Sequence, residues 1–134
     1  MSYKFSKAGD PMAIKEQEYG SGSEIKFTKF TSCIGVIAKK YDVLHAVHLV
    51  MKAKDGSIFD PSAAIDVVGL FPSLPEKVTI FGCIALWENP DNGVNKAFQK
   101  LLASVKSVEK YQKYTFGEGT YGAKIDGKNI EITF

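Results

Sequence analysis

The sequence has little cysteine, histidine and tryptophan, and it lacks a long hydrophobic run. Its 134 residues include only two cysteines and one tryptophan, with two histidines. Two cysteines are too few for a disulfide framework, so apolar packing has to supply the core. The longest apolar run, residues 43–51, is far shorter than the roughly 20 residues of a membrane-spanning helix. The sequence therefore excludes a disulfide-stapled domain and predicts no membrane span.

The sequence also lacks a large excess of either positive or negative charge. Seventeen basic residues face fifteen acidic ones, a net charge of +2. Nucleic-acid binding requires a clustered basic patch, which this balance does not indicate, so we expect no nucleic-acid partner. The polar N-terminus has no apolar segment typical of a secretory signal. With 45% hydrophobic residues the bulk of the chain is expected to fold.

The chain is the length of one domain. Residues 1–24 are polar and rich in turn-forming residues, and we expect a loosely ordered arm or an edge element there. Alternating and apolar runs predict the order β-β-β-α-β-α-β-β-β over residues 25–134. Asp60 before Pro61 predicts the first helix start, the period of residues 94–105 predicts the second helix, and Asp126-Gly127 predicts a final hairpin. The predicted class is α/β or α+β, with sheet at the centre and helices outside.

The first predicted hairpin places a thiol near an imidazole. A turn centred between Lys40 and Tyr41 puts Cys33 directly opposite His48, with Cβ atoms about 5 Å apart. His45 then points to the other face of the sheet. A histidine beside a cysteine can take the thiol proton and later protonate a leaving group, which is the basis of thiol catalysis. A third polar group commonly orients the imidazole, and the candidates are Thr28, Thr31 and Ser32.

Other interpretations of these residues remain open. A cysteine in an apolar strand is usually a small buried hydrophobe, and we assign that role to Cys83. A metal site built from both cysteines and both histidines is disfavoured, because His45 and His48 face opposite sides, so no metal is expected. The glycine-rich residues 117–122 lack the lysine of a phosphate-binding loop and are interpreted as a turn.

Several segments resemble the chemoreceptor glutamine deamidases of the CheD family. Phe30-Thr31-Ser32-Cys33-Ile34-Gly35-Val36 is similar to that family's nucleophile motif, and residues 44–51 match the strand that carries its histidine, with His48 in that place. The apolar residues 78–82, the helix at 94–105 and the glycine-bearing residues 119–127 follow in the family's order. The wider superfamily includes the catalytic domains of cytotoxic necrotizing factor and Burkholderia lethal factor, which deamidate a glutamine of a host protein.

The resemblance implies a fold and an activity. The fold is a single-domain four-layer α/β/β/α sandwich of mixed sheets, with residues 25–134 as the catalytic domain. The activity is conversion of a protein glutamine to glutamate with release of ammonia, in which Cys33 attacks the carboxamide and His48 transfers protons. Backbone N–H groups of Ser32 and Cys33 would hold the oxyanion, and Thr28 or Thr31 would be the third catalytic residue.

The resemblance further implies no cofactor, a protein substrate and a monomer. It places the protein in the cytoplasm or in a host cell reached without a signal peptide. Two alternatives remain open at this point. One is a related cysteine hydrolase or transglutaminase that uses the same pair of residues. The other is a non-catalytic protein-binding module on the same fold, in which Cys33 is buried and unreactive.

Overall fold

The fold is known from a computed structural model, which describes residues 2–106 and 111–134. These residues form a small α+β domain with one mixed sheet, one antiparallel sheet and few helices. Its strands are β1 (Ser6–Lys7), β2 (Glu18–Gly22), β3 (Glu24–Lys26), β4 (Ile34–Lys40), β5 (Val43–Leu49), β6 (Lys77–Gly82), β7 (Tyr111–Thr115), β8 (Gly122–Asp126) and β9 (Asn129–Thr133). Its α-helices are α1 (Pro61–Gly69), α2 (Ile84–Glu88) and α3 (Asn95–Val105).

The larger sheet has six strands in the order β1-β2-β5-β4-β6-β7. Its outer pairs β1–β2 and β6–β7 are parallel, while the pairs between them are antiparallel. β4 and β5 lie at its centre and are buried along most of their length, as their apolar runs predict. The smaller sheet is β3-β8-β9, and the predicted hairpin at Asp126-Gly127 joins its last two strands.

The two longer helices begin and end where the sequence indicates. Asp60 caps α1 by accepting a hydrogen bond from the Ala63 N–H at 2.8 Å, and Pro61 occupies the first turn. In α3 the predicted apolar face is buried. None of the helices in residues 2–106 and 111–134 combines the length and the apolar character that crossing a membrane requires.

The register of the central hairpin differs from the prediction by two residues. Lys40 pairs with Val43 across a two-residue turn, and Gly35, not Cys33, lies opposite His48. Tyr41 in this turn has a positive φ of 56°, a conformation that tyrosine rarely adopts and that its sequence does not indicate. Because the shift is even, His48 remains on the face of β5 expected for it; only its direct partner changes.

Residues 2–24 lie as an edge element, the second of the two forms expected for the arm. β1 pairs with β2, and β2 pairs with β5, so the arm extends the central sheet. Two of its side chains, Tyr3 and Ile14, are buried in the same hydrophobic cluster as the sheet. The Tyr3 hydroxyl donates to the Val50 carbonyl at 2.7 Å and accepts from the Val50 N–H at 2.9 Å. A loosely ordered arm is therefore not what the structure has.

The predicted strand over residues 77–86 is too long. β6 ends at Gly82, where φ is +121°, and α2 follows directly. A Cβ at Gly82 would lie 2.7 Å from the Cys33 carbonyl oxygen, so only glycine lets the two chains approach this closely. The apolar residues after Gly82 form a short helix instead, in which Ile84 and Trp87 are fully buried and Leu86 is exposed.

Candidate functional site

Cys33 sits one residue before β4, in a segment whose main chain is held from two sides. On one side the Cys83 N–H donates to the Cys33 carbonyl at 3.0 Å, and the Trp87 indole N–H donates to the Ser32 carbonyl at 2.8 Å. On the other side Phe30 and Gly119 exchange two backbone hydrogen bonds at 2.7 and 3.1 Å. These bonds satisfy main-chain groups that a buried loop would otherwise leave unpaired, and they fix the main chain that carries the thiol.

His48 is fully buried, and its ring is oriented by the arm. Its Nδ1 lies 3.0 Å from the carbonyl oxygen of Ile14. A carbonyl only accepts hydrogen bonds, so Nδ1 carries the proton and Nε2 has the free lone pair. The ring packs between Phe30 and Phe27, with centroid distances of 4.8 and 5.6 Å. Among the described residues, His48 Nε2 has no hydrogen-bond partner.

The absence of a side chain at Gly35 shapes the surroundings of His48. A Cβ at this position would come within 3.0 Å of the Phe81 ring and 3.1 Å of the Phe27 ring. Rings from two other parts of the chain therefore occupy the space opposite His48. Cys33 precedes Gly35 by two residues, and diagonal neighbours in a regular ladder lie roughly 7–8 Å apart. No hydrogen bond joins the Cys33 thiol to His48 Nε2 in the described chain.

The protonation states follow from burial. Burial raises the pKa of the Cys33 thiol from 9.0 to about 11, and the charge of Glu16 adds to the increase, while nearby backbone groups of Thr31 and Ser32 oppose it. Burial lowers the pKa of His48 below 6.5, which its bond to Ile14 partly offsets. At neutral pH the two groups are thus a neutral thiol and a neutral imidazole, and a preformed thiolate–imidazolium pair is disfavoured.

Of the predicted third residues, Thr28 is connected to His48. Its hydroxyl donates at 3.4 Å to the Ile14 carbonyl, the same oxygen that accepts from His48 Nδ1. The Thr31 side chain is exposed, whereas its main chain lies next to Cys33 and its carbonyl accepts a bond of 3.7 Å from the Cys83 thiol. Ser32 is held through its carbonyl, as described above for Trp87.

An open cleft of about 510 Å³ adjoins this region. Thr28 lines it together with arm residues that include Lys4, Glu16 and Glu18. After burial, the negative charge of Glu16 is a further influence on both groups. It adds to the raised pKa of the Cys33 thiol, and it partly offsets the lowering of the His48 pKa by burial. Glu16 was not among the residues predicted from the sequence, because it lies in the arm, where no strand pattern indicated contact with the central sheet.

Of the remaining candidate residues, His45 lies on the other side of the sheet from the site, and Cys83 lies next to Cys33. His45 pairs with Ala38 and, three residues from His48, projects to the opposite face of the sheet. The described residues contain no group of three potential metal ligands. Cys83, interpreted above as an independent core residue, is buried but lies immediately beside Cys33.

Comparison with known proteins assigns no family to this arrangement. No protein-family model matches the chain, and no curated protein matches it. The function is therefore argued from the residues and geometry of the site.

Proposed function

We propose that the chain is a protein-glutamine deamidase, with Cys33 as nucleophile and His48 as general base. The observation that supports this best is His48 itself. Its Nδ1 is bonded to Ile14, while its Nε2 is buried without a partner. An unpaired buried polar atom costs about 1–3 kcal/mol, which a purely structural histidine would avoid. The tautomer is the one that a general base for a neighbouring thiol needs.

The pKa shifts favour one version of the mechanism. Because both groups rest in their neutral forms, the thiol proton moves to Nε2 while the sulfur attacks the amide carbon, as in a serine hydrolase. The imidazolium then gives this proton to the departing ammonia. Water, deprotonated by Nε2, attacks the thioester and releases glutamate, and Nε2 returns the proton to the Cys33 sulfur as the carbon–sulfur bond breaks. The sulfur has to approach Nε2 when substrate binds, since catalytic hydrogen bonds are often long without substrate.

The other parts of the proposal follow the resemblance. Thr28 supports the imidazole through the shared Ile14 carbonyl, backbone N–H groups at Ser32 and Cys33 are the oxyanion donors, and Thr31 is the alternative third residue. The fold would be the four-layer α/β/β/α sandwich. The substrate is a glutamine on a partner protein, in the cytoplasm or in a host cell, and the enzyme acts as a monomer without a cofactor.

Ammonia release tests the proposal. The purified protein is incubated with carbobenzoxy-Gln-Gly and with unfolded casein, and ammonia and new glutamate are measured. We expect release that Cys33→Ser or His48→Gln abolishes, whereas the matched variants Cys83→Ser and His45→Gln retain it. Release that persists in Cys33→Ser would refute the proposal. An added primary amine that is incorporated into casein would identify the transglutaminase alternative.

A second candidate, a non-catalytic protein-binding module, is favoured by the burial of the thiol. Cys33 is only 1% exposed, and its raised pKa makes it a poor nucleophile at rest. This candidate predicts no ammonia from any substrate. It also predicts that a glutamine-mimicking chloroacetamide peptide labels Cys33 at the same slow rate in the wild type and in His48→Gln, whereas the deamidase predicts a loss of labelling in that variant.

A further inference from the structure

The two cysteines of the chain meet at the end of the β4–β6 ladder. The last assigned pair in this ladder joins Ile34 to Gly82, and the next residues on the two strands are Cys33 and Cys83. Their main chains are joined by the hydrogen bond of 3.0 Å from the Cys83 N–H to the Cys33 carbonyl. Cys33 and Cys83 lie just beyond the assigned strands, but the hydrogen bond between them is of the kind that joins a hydrogen-bonded pair in an antiparallel ladder, where Cα atoms lie about 5.5 Å apart and a disulfide can span the distance.

Both sulfurs also lie near the main chain of Thr31. The Cys83 thiol lies 3.7 Å from the Thr31 carbonyl, and the backbone of Thr31 also contacts the Cys33 sulfur. The charge of Cys83 in turn raises the pKa of Cys33, as expected for neighbouring thiols. Both cysteines are free in this structure. Formation of a disulfide therefore requires the two side chains to turn towards each other.

We infer that Cys33 and Cys83 are a modification site, which hydrogen peroxide converts to an intramolecular disulfide. One thiol loses its proton as its sulfur attacks a peroxide oxygen, which gives a sulfenic acid and one water. The second thiol loses its proton as its sulfur attacks the sulfenic sulfur, and the displaced hydroxyl takes up that proton and leaves as the second water. In total, two thiols and one peroxide give one disulfide and two waters. The two sulfurs lose two electrons, which reduce the peroxide.

The bond has consequences for the site and for the fold. It removes the thiol of Cys33, so oxidation reversibly stops catalysis; this consequence rests on the proposed function. It also closes a long chain loop, which constrains the unfolded state and is expected to raise the Tm by roughly 5 °C or more. The Tm change does not depend on any activity.

Peroxide titration of the full chain tests the inference. We expect the intact mass to fall by two hydrogens, a peptide pair linking Cys33 to Cys83, and a Tm that rises and returns on treatment with dithiothreitol. Cys83→Ser and Cys83→Ala remove the linked pair, and in both the Tm no longer rises. Oxygen added to Cys33 while Cys83 still reacts with iodoacetamide, or dimers linked between chains, would overturn the inference.

The outcomes separate this inference from the proposed function. If the disulfide forms but neither redox form releases ammonia, the modification site stands and the deamidase fails. If ammonia release is lost irreversibly without a linked peptide pair, the deamidase stands and the disulfide fails. Recovery of ammonia release with dithiothreitol in the wild type, together with the linked peptide pair in its oxidised form, supports both.

Discussion

At the scale of single residues, His48 makes the free energy of unfolding depend on pH. Its pKa is lowered by burial, so between 6.5 and the folded-state pKa the unfolded chain binds more protons than the folded one. The stability that neutral His48 contributes is therefore present above pH 6.5 and lost as the pH falls through the folded-state pKa. The slope from one such group is at most about 1.4 kcal/mol per pH unit.

This predicts the behaviour of two histidine variants. Urea unfolding between pH 7 and pH 5 should give a free energy of unfolding that falls less steeply in His48→Gln than in the wild type. His45→Gln serves as the matched control, because His45 is only partly buried whereas His48 is fully buried. Equal slopes in the wild type and in His48→Gln would mean that folding leaves the pKa of His48 unchanged, which would contradict the prediction.

Only part of the arrangement of Cys33 and His48 could be predicted from the sequence. The face of β5 that carries His48 followed from strand alternation, which an even register shift preserves. The direct partner did not follow, because it depends on a turn in which Tyr41 takes a positive φ without a glycine or asparagine to signal it. The protonation state of His48 depends on the Ile14 carbonyl, and no local pattern links those two positions.

At the scale of elements, the junction between β6 and α2 determines where Cys33 lies. Strand patterning continued β6 through its apolar residues, since a buried strand and a short buried helix have similar composition. The structure ends β6 at Gly82, which faces the Cys33 carbonyl and the Phe30 ring at distances too short for a side chain. The junction and the nucleophile segment are therefore one packing unit.

We expect Gly82→Ala to destabilise the protein by about 2–3 kcal/mol, through the positive φ and the contact with the Cys33 carbonyl. The control is Gly69→Ala at the end of α1, where a Cβ meets nothing within 4 Å. Alanine there should be neutral or stabilising by up to about 1 kcal/mol. Thermal and urea unfolding of both variants decide the matter, and equal stabilities would remove the special role of Gly82.

At the scale of the whole molecule, the arm completes the central sheet and the site together. For residues 25–134 the element order follows from periodicity except at α2, because the other strands and helices carry clear local patterns. The arm carries no such pattern, because its strands are short and polar. They are held in place by pairing, β1 with β2 and β2 with β5. Its contributions to the core come from isolated side chains such as Tyr3 and Ile14, which a window-based pattern does not detect.

Ile14 therefore provides the sharpest test of the arm. Its side chain is fully buried, while its carbonyl holds His48, so Ile14→Ala removes packing and leaves the main-chain hydrogen bond in place. We expect a loss of about 2–5 kcal/mol in the free energy of unfolding, measured in urea. Met12→Ala, two residues away at a side chain that is 42% exposed, should change it by no more than about 0.5 kcal/mol.

If both variants were equally mild, the arm would be an appendage to the sheet, and the hydrogen bond from His48 to Ile14 would have to persist without a packed anchor. A loss confined to Ile14→Ala instead makes the arm part of the folding unit, so that a chain shortened to residues 25–134 would lack both the support of His48 and a side of the core.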